Sequence, residues 1–188
     1  MLKVTGKFLL CSFLLSFCLC KTIWINTSKD NDLSGANSVA QLQIMPADVS
    51  GWQQSGGASG WTILSASNLH TILDGGDMPY LQNHLIEAGI QYLQGPSGKS
   101  LQVYCMDFGT ETNSRQMVED QKIQITTLLI IPNYPDSVAI ASATLGGVNA
   151  YAYFNKFYIE LQLTGFQDQG EALRTASLFM DLYSSKIE

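Results

Sequence analysis

Two carboxylates flank two glycines in Asp74-Gly75-Gly76-Asp77, a segment whose residue types could hold a ligand directly. Glycine lets the backbone approach closely, and the acids could take a cation or a polar group, with Tyr80 and His84 further along on the same side. The same four residues also spell the end of one helix and the start of another, with glycine closing the first and Asp77 capping the second. The capping reading uses every residue without a ligand and is the preferred one. Asp74, Gly75, Gly76, Asp77 and Tyr80 stand beside it as the candidate ligand-binding set.

Other constellations fall short of chemistry. Asp30, Asn31, Asp32, Leu33, Ser34 and Gly35 imitate the opening of a calcium loop, but the twelfth position is Gln41 instead of a bidentate glutamate and no helical signal precedes it. His70 and Asp74 are four residues apart on one predicted helix, a spacing that suits a local hydrogen bond as well as a catalytic pair. Zinc would need more ligands than two histidines and Cys105 supply, and neither His-Glu-x-x-His nor Cys-x-x-Cys occurs. No Gly-x-Ser-x-Gly elbow is present, and Gly95-Pro96-Ser97-Gly98-Lys99 lacks the phosphate-loop spacing and reads as a turn. No catalytic residue, metal site or cofactor is therefore assigned. Tyr151, Tyr153 and Tyr158 could form a stacking surface for a sugar, lipid or peptide. Cross-strand packing under the closing helix explains them equally and is preferred.

The elements that would position these residues follow from periodicity. Residues 21–60 read as an irregular arm and loops, pinned by Trp52 and Trp61. Leu69, Ile72 and Leu73 predict a short helix. Asp77 and Pro79 open a second one carrying Leu81, Leu85 and Ile86 up to Gly89. Alternation then predicts a hairpin of strands 90–94 and 99–108, with Leu101, Val103 and Cys105 facing one way and Cys105 serving as a small buried hydrophobe. A helix over 113–122, strands over 123–131 and 137–142, and a tight hairpin around Asn155-Lys156 follow. In that hairpin Phe157, Ile159, Leu161 and Leu163 take one face and Tyr158, Glu160, Gln162 and Thr164 the other. A closing helix from about 168 to 185 carries Ala176, Phe179, Met180 and Tyr183 as its apolar stripe. The class predicted is α+β, a mainly antiparallel sheet with helices packed on it, in a single domain over residues 61–188.

At the start of the chain, Lys3 and Lys7 precede an apolar run over residues 8–20 that is too short for a membrane span and suits a secretory signal. Cleavage before Lys21 is expected, which makes residues 1–20 a signal peptide and leaves no transmembrane helix in the mature chain. A lipid anchor on Cys20 or Cys18 is the less favoured alternative, because bulky residues precede both. Cleavage removes Cys11, Cys18 and Cys20, so Cys105 has no intramolecular disulfide partner. The full chain carries 10 basic and 16 acidic residues, and without Lys3 and Lys7 the balance is 8 against 16, or −8. No basic stripe is available for phosphates, which argues against nucleic acid as a partner.

From residue 52 onward the order of motifs resembles an uncharacterised family of bacterial exported proteins, a domain of unknown function. The residues that carry it are Gly51-Trp52, the segment from Leu73 through Asp74-Gly75-Gly76-Asp77 to Met78-Pro79-Tyr80, Gly89, and the strand Val103-Tyr104-Cys105-Met106-Asp107-Phe108-Gly109. Asp77 stands where that family has a small residue, and Phe108 precedes Gly109 as an extra position. The resemblance implies export to the periplasm or beyond and a similar fold, and it carries no assigned chemistry. The expected function is a non-catalytic binding or interaction domain of the bacterial envelope, its partner a small ligand or an envelope protein. Two alternatives stand beside it: a hydrolase-like enzyme using an Asp/His cleft around Asp74 and Asp77, and a structural subunit pairing through a sheet edge.

Overall fold

The computed structural model describes residues 35–55, 60–73 and 76–188. The expected signal segment with Cys18 and Cys20, the cut at Lys21, the acidic loop from Asp30 to Ser34, and Asp74 and Gly75 lie outside the described residues.

Strictly alternating sequence builds the sheet. Among the described residues eight strands form it: β1 (Gln53–Gln54), β2 (Trp61–Ser65), β3 (Glu87–Gln94), β4 (Ser100–Asp107), β5 (Leu128–Ile130), β6 (Ala139–Thr144), β7 (Gly147–Phe154) and β8 (Phe157–Thr164). Their order is β1-β3-β4-β8-β7-β6-β5, with β2 pairing β3 alongside β1, and every pairing is antiparallel. Four helices accompany them: α1 (His70–Leu73), α2 (Met78–Gln82), α3 (Glu111–Gln124) and α4 (Gln169–Ile187). The chain is thus the α+β, antiparallel-sheet domain that the periodicity predicts. No described helix is long and apolar enough to cross a membrane.

The two sheet faces bury different chemistry. On the first, Leu101, Val103, Cys105, Ile159, Leu161, Leu163, Val148 and Ala150 pack against Ala172, Ala176, Phe179, Met180 and Tyr183 of α4. Helix α4 starts where the Asp168 carboxylate accepts hydrogen bonds from the N–H groups of Gly170 (2.9 Å) and Glu171 (3.1 Å). Each large side chain buried here contributes about 1.5–3 kcal/mol. Burial also pushes the Cys105 thiol up to about 12, so at neutral pH it is a small hydrophobe. On the second face Ala88, Ile90, Met106, Ile140 and Tyr158 lie under Met117 and Val118 of α3 and beside Leu69 and Leu85.

Several expectations need correction. Part of the stretch read as an arm belongs to the core. A 3₁₀ turn, Val39–Leu42, buries Val39 and Leu42 completely. Trp52 sets its ring edge-on to Phe179, with centroids 5.2 Å apart. The second short helix stops at Gln82 and does not reach Gly89, because Ile86 N–H bonds to the Asp107 carbonyl at 2.9 Å and the strand has begun at Glu87. Helix α3 runs on to Gln124, which shortens the strand predicted over 123–131 to Leu128–Ile130. The tyrosines of the β7–β8 hairpin pack cross-strand, as preferred, but under α3; the closing helix covers the opposite face. In each case a partner distant in sequence overrode the local period.

Gly89, read as a helix stop, is a strand residue with a packing reason. A Cβ there would lie 2.3 Å from Trp61 Cη2 and 2.5 Å from Val39 Cγ1. Gly89→Ala is therefore expected to cost about 1–3 kcal/mol through overpacking. Trp61→Leu in the same chain should recover part of that loss in urea denaturation. Simple additivity of the two changes would refute the contact.

Candidate ligand face on the sheet

The residues singled out around the glycine pair do not converge. Gly76 is exposed and its N–H donates to the Leu73 carbonyl at 2.8 Å, closing the turn after α1. Asp77 is half-buried. Its carbonyl accepts from the N–H groups of Tyr80 and Leu81, each at 3.1 Å, while its carboxylate makes no cap bond. His70 and His84 are both exposed, His84 in the left-handed region at φ 66°, and no hydrogen bond among the described residues joins either to Asp77. Only Tyr80 leads inward: from α2 its hydroxyl reaches across to Glu160 Oε2 at 3.2 Å.

Glu160 lies on β8, the central strand, and is 6% exposed. A carboxylate so placed must find donors, and three neutral ones serve it. Tyr80 and Tyr158 donate to Oε2 at 3.2 and 3.4 Å, and Gln162 Nε2 donates to Oε1 at 2.9 Å. Sheet register extends this centre into rows on one face. One row runs Ile90, Tyr104, Glu160, Tyr151, Ile140 from β3 to β6. The next runs Tyr92, Gln102, Gln162, Asn149, Ser142, and a third begins Gln94, Ser100, Thr164. The first row is buried, whereas the second is half-buried to exposed, with Tyr92 at 45%.

The described helices thus stop partway down the face. The open rows bound a depression of about 320 Å³ lined by Ser55, Tyr92, Ser100, Gln102, Gln162 and Thr164. A second hollow of about 430 Å³ lies where Tyr151 and Ser142 meet the end of α3 at Gln121 and Gln124. At about 4.8 Å per strand, the row from Tyr92 to Ser142 is roughly 19 Å long.

Burial pushes the Glu160 carboxyl above the usual carboxylate range, and the bonds from Gln162, Tyr80 and Tyr158 oppose that shift. The surrounding phenols move up as well. Tyr104 rises to about 12, first through burial and then through Tyr92 and Glu160. Tyr80 and Tyr158 rise further, with burial as the largest cause and Glu160 adding to it. These phenols stay protonated at any physiological pH and act as donors to the carboxylate. Tyr151 stacks on Tyr158 with centroids 6.5 Å apart and planes 21° apart, which locks the wall of the site.

No protein-family model matches the chain. No curated protein matches it either. Among solved structures, the crystal structure of the extracellular domain of PknH from Mycobacterium tuberculosis is similar over 71% of this chain and 82% of that one, at 12% identity and a TM-score of 0.45. A likeness at that level bears on neither the site nor its ligand.

Chemically the face is built to hold. Among the described residues no group of three or more His, Cys, Asp or Glu side chains gathers as for a metal. The open rows offer amides, hydroxyls and a phenol on rigid strands, with the carboxylate one step behind. Sequence reading placed Glu160, Gln162 and Thr164 on a common face but singled out neither Glu160 nor Gln102. The available signal was a charged residue in the alternating run Tyr158, Glu160, Gln162. That signal gains meaning only when Tyr104 and Gln102 stand opposite.

Because the native state raises the Glu160 pKa, folded chains keep this proton to higher pH than unfolded ones. Stability tied to the group is full below about pH 4, near the unfolded value, and is lost as pH rises through the native value. Glu160→Gln keeps an acceptor for Gln162 and lets the tyrosines turn to accept. The variant should match the parent within about 1 kcal/mol at pH 4 and exceed it by about 1–3 kcal/mol at pH 7. Urea titration at both pH values measures this. A variant weaker at both would mean that the ionised carboxylate stabilises the fold.

Proposed function

We propose that this chain is an exported, non-catalytic binding domain whose ligand lies on the open rows of the sheet, across Tyr92, Gln102, Gln162 and Asn149. The observation that carries the reading is a sheet face covered by helices only halfway, whose open half is amide and hydroxyl instead of apolar or charged. A solvated sheet face in an ordinary domain carries mixed charges, and the lining of this depression carries none. A carboxylate retained behind it at a desolvation cost is a second mark of a functional surface. Export rests on Lys3, Lys7 and the apolar run after them, together with the resemblance to bacterial exported proteins.

The enzyme reading has less support, since among the described residues no hydrogen bond joins His70, His84 and Asp77; Asp74 lies outside them. Pairing through a sheet edge has less support as well, since one edge strand, β5, has three residues and the other edge is divided between β1, of two residues, and β2, of five, and short edge strands limit edge-to-edge pairing.

Protein recovered from its own source should have a mass corresponding to residues 21–188. A diacylglycerol adduct on Cys20 or Cys18 would move it onto a membrane surface instead. A panel of oligosaccharides and peptides titrated into labelled protein should shift the side-chain amide signals of Gln102 and Gln162 first. Gln102→Ala with Gln162→Ala should abolish that response while keeping the native fold, at a cost of about 1–3 kcal/mol from the lost Gln162–Glu160 bond. Shifts confined to the neighbourhood of Asp77 and His84 would sink this reading.

A further inference from the structure

We infer that the open rows receive an extended peptide segment of a protein partner bearing one basic side chain, whose ammonium or guanidinium group docks over Gln102 and Gln162, in front of Glu160. The inference rests on the ligand face proposed above and adds the chemistry of its occupant.

Hydrogen-bond polarity is the first argument. Gln162 spends an N–H on Glu160 at 2.9 Å. Gln102 spends its Nε2 on the hydroxyls of Tyr92, at 3.0 Å, and Tyr104. With their amide nitrogens so engaged, both glutamines keep a carbonyl oxygen with no hydrogen bond among the described residues. The two residues are direct cross-strand partners and line the same depression. Adjacent acceptors of this kind suit a group that only donates, and ammonium and guanidinium are the side chains that do.

Charge complementarity is the second argument. The partners of Glu160 among the described residues are two phenols and an amide, all neutral. Of the described basic residues, Lys99, Lys122, Lys156, Lys186 and Arg174 are each engaged with an acid elsewhere, and Arg115 is exposed on α3 and does not line the depression. A buried carboxylate is normally matched by a cation, and Gln162, which bonds this one, lines the depression. The net charge of −6 favours the approach of a cation. Tyr92, 45% exposed, adds an aromatic face within the same lining. An anion would meet the carboxylate and two carbonyls, and would be repelled.

Shape argues for a peptide over a free polyamine. Among the described residues one acid, Glu160, stands in the row behind, at its centre, so one positive charge is matched and further ones are not. To either side Gln94, Ser100, Thr164, Asn149 and Ser142 present amides and hydroxyls, which suit the N–H and C=O groups of an extended backbone. The row of roughly 19 Å spans about six extended residues.

The test uses the mature chain and four probes: a seven-residue peptide with one central lysine, the same peptide with that lysine acetylated, spermidine, and a neutral hexasaccharide. The lysine peptide should shift the Gln102 and Gln162 side-chain amides and bind at least about tenfold more tightly than the acetylated form. Glu160→Gln should erase that difference while leaving the fold intact, and Gln162→Leu should weaken the lysine peptide alone. Equal affinity for both peptides, or no shift with the lysine peptide, overturns the cation. Spermidine binding as tightly as the peptide overturns the peptide. If the hexasaccharide alone shifts these amides, the face is a ligand face and only its occupant is wrong. If the lysine peptide binds but shifts signals elsewhere, the ligand face itself is refuted.

Discussion

Pairing of β4 with β8 is the interaction on which the rest of this molecule depends. The chain lays down one antiparallel unit, β2-β3-β4, then leaves the sheet through α3 and builds a second, β5-β6-β7-β8. Eight residue pairs, from Ser100 with Thr164 to Asp107 with Phe157, join the two into one sheet. The α4 stripe rests mainly on β7 and β8 of the second unit, and Tyr183 reaches across the seam to Cys105 of the first. Lys156 closes one end of the seam by bonding the Asp107 carboxylate at 2.7 Å and the Asn37 carbonyl at 2.9 Å, which also ties the N-terminal stretch to it. The closure is non-local, joining residues fifty or more positions apart, so it must follow the formation of both units or form with them.

The same seam creates the candidate site. Register places Tyr104 opposite Glu160 and Gln102 opposite Gln162, so a carboxylate from one unit acquires a wall from the other. Tyr80 then arrives from the short helix α2 and closes the top of the cluster. Glu160 therefore has donors from two elements distant in sequence, Tyr80 and its own strand; burial raises its pKa, and these bonds oppose the shift. In this cluster Glu160 is buried, and Gln162, bonded to it, stands between it and the depression. Rigidity of the strands and exposure of one edge are what a binding surface requires.

Asymmetry between the two faces explains why one is structural and the other carries the site. The α4 face is mostly apolar, with Gln91 bonded to the Ile44 backbone and Asp107 bonded to Lys156, and nineteen residues of helix, Gln169–Ile187, and the N-terminal turn cover it. The opposite face is apolar only near Met106 and Tyr158, and fourteen-residue α3 with the short helices covers that half. Hydrophobic burial supplies no drive to extend cover over Gln102, Gln162 and Asn149. The boundary between covered and open sheet is drawn by side-chain type alone.

Much of this was legible along the chain. Alternation in 157–164 and 101–107 assigned both faces of β8 and β4, the Asn155-Lys156 turn marked the hairpin, and the stripe Ala176, Phe179, Met180, Tyr183 marked the closing helix. Period-two and period-3.6 patterns are local, so sequence determines them. Which strands become neighbours is not local. The ends of helices α2 and α3, the incorporation of Val39, Leu42 and Trp52 into the core, and the choice of face for each helix were decided by tertiary pairing. The glycine-flanked acids drew attention because their chemistry is adjacent in sequence, whereas the residues that come together are Tyr80, Tyr104, Gln102, Glu160 and Gln162, drawn from three elements. Sequence by itself determined that a carboxylate would sit among tyrosines and glutamines on one face of a strand. Only the register of β4 against β8 decided that it would be buried behind an open row of amides, because a buried charge takes its character from neighbours that no local pattern contains.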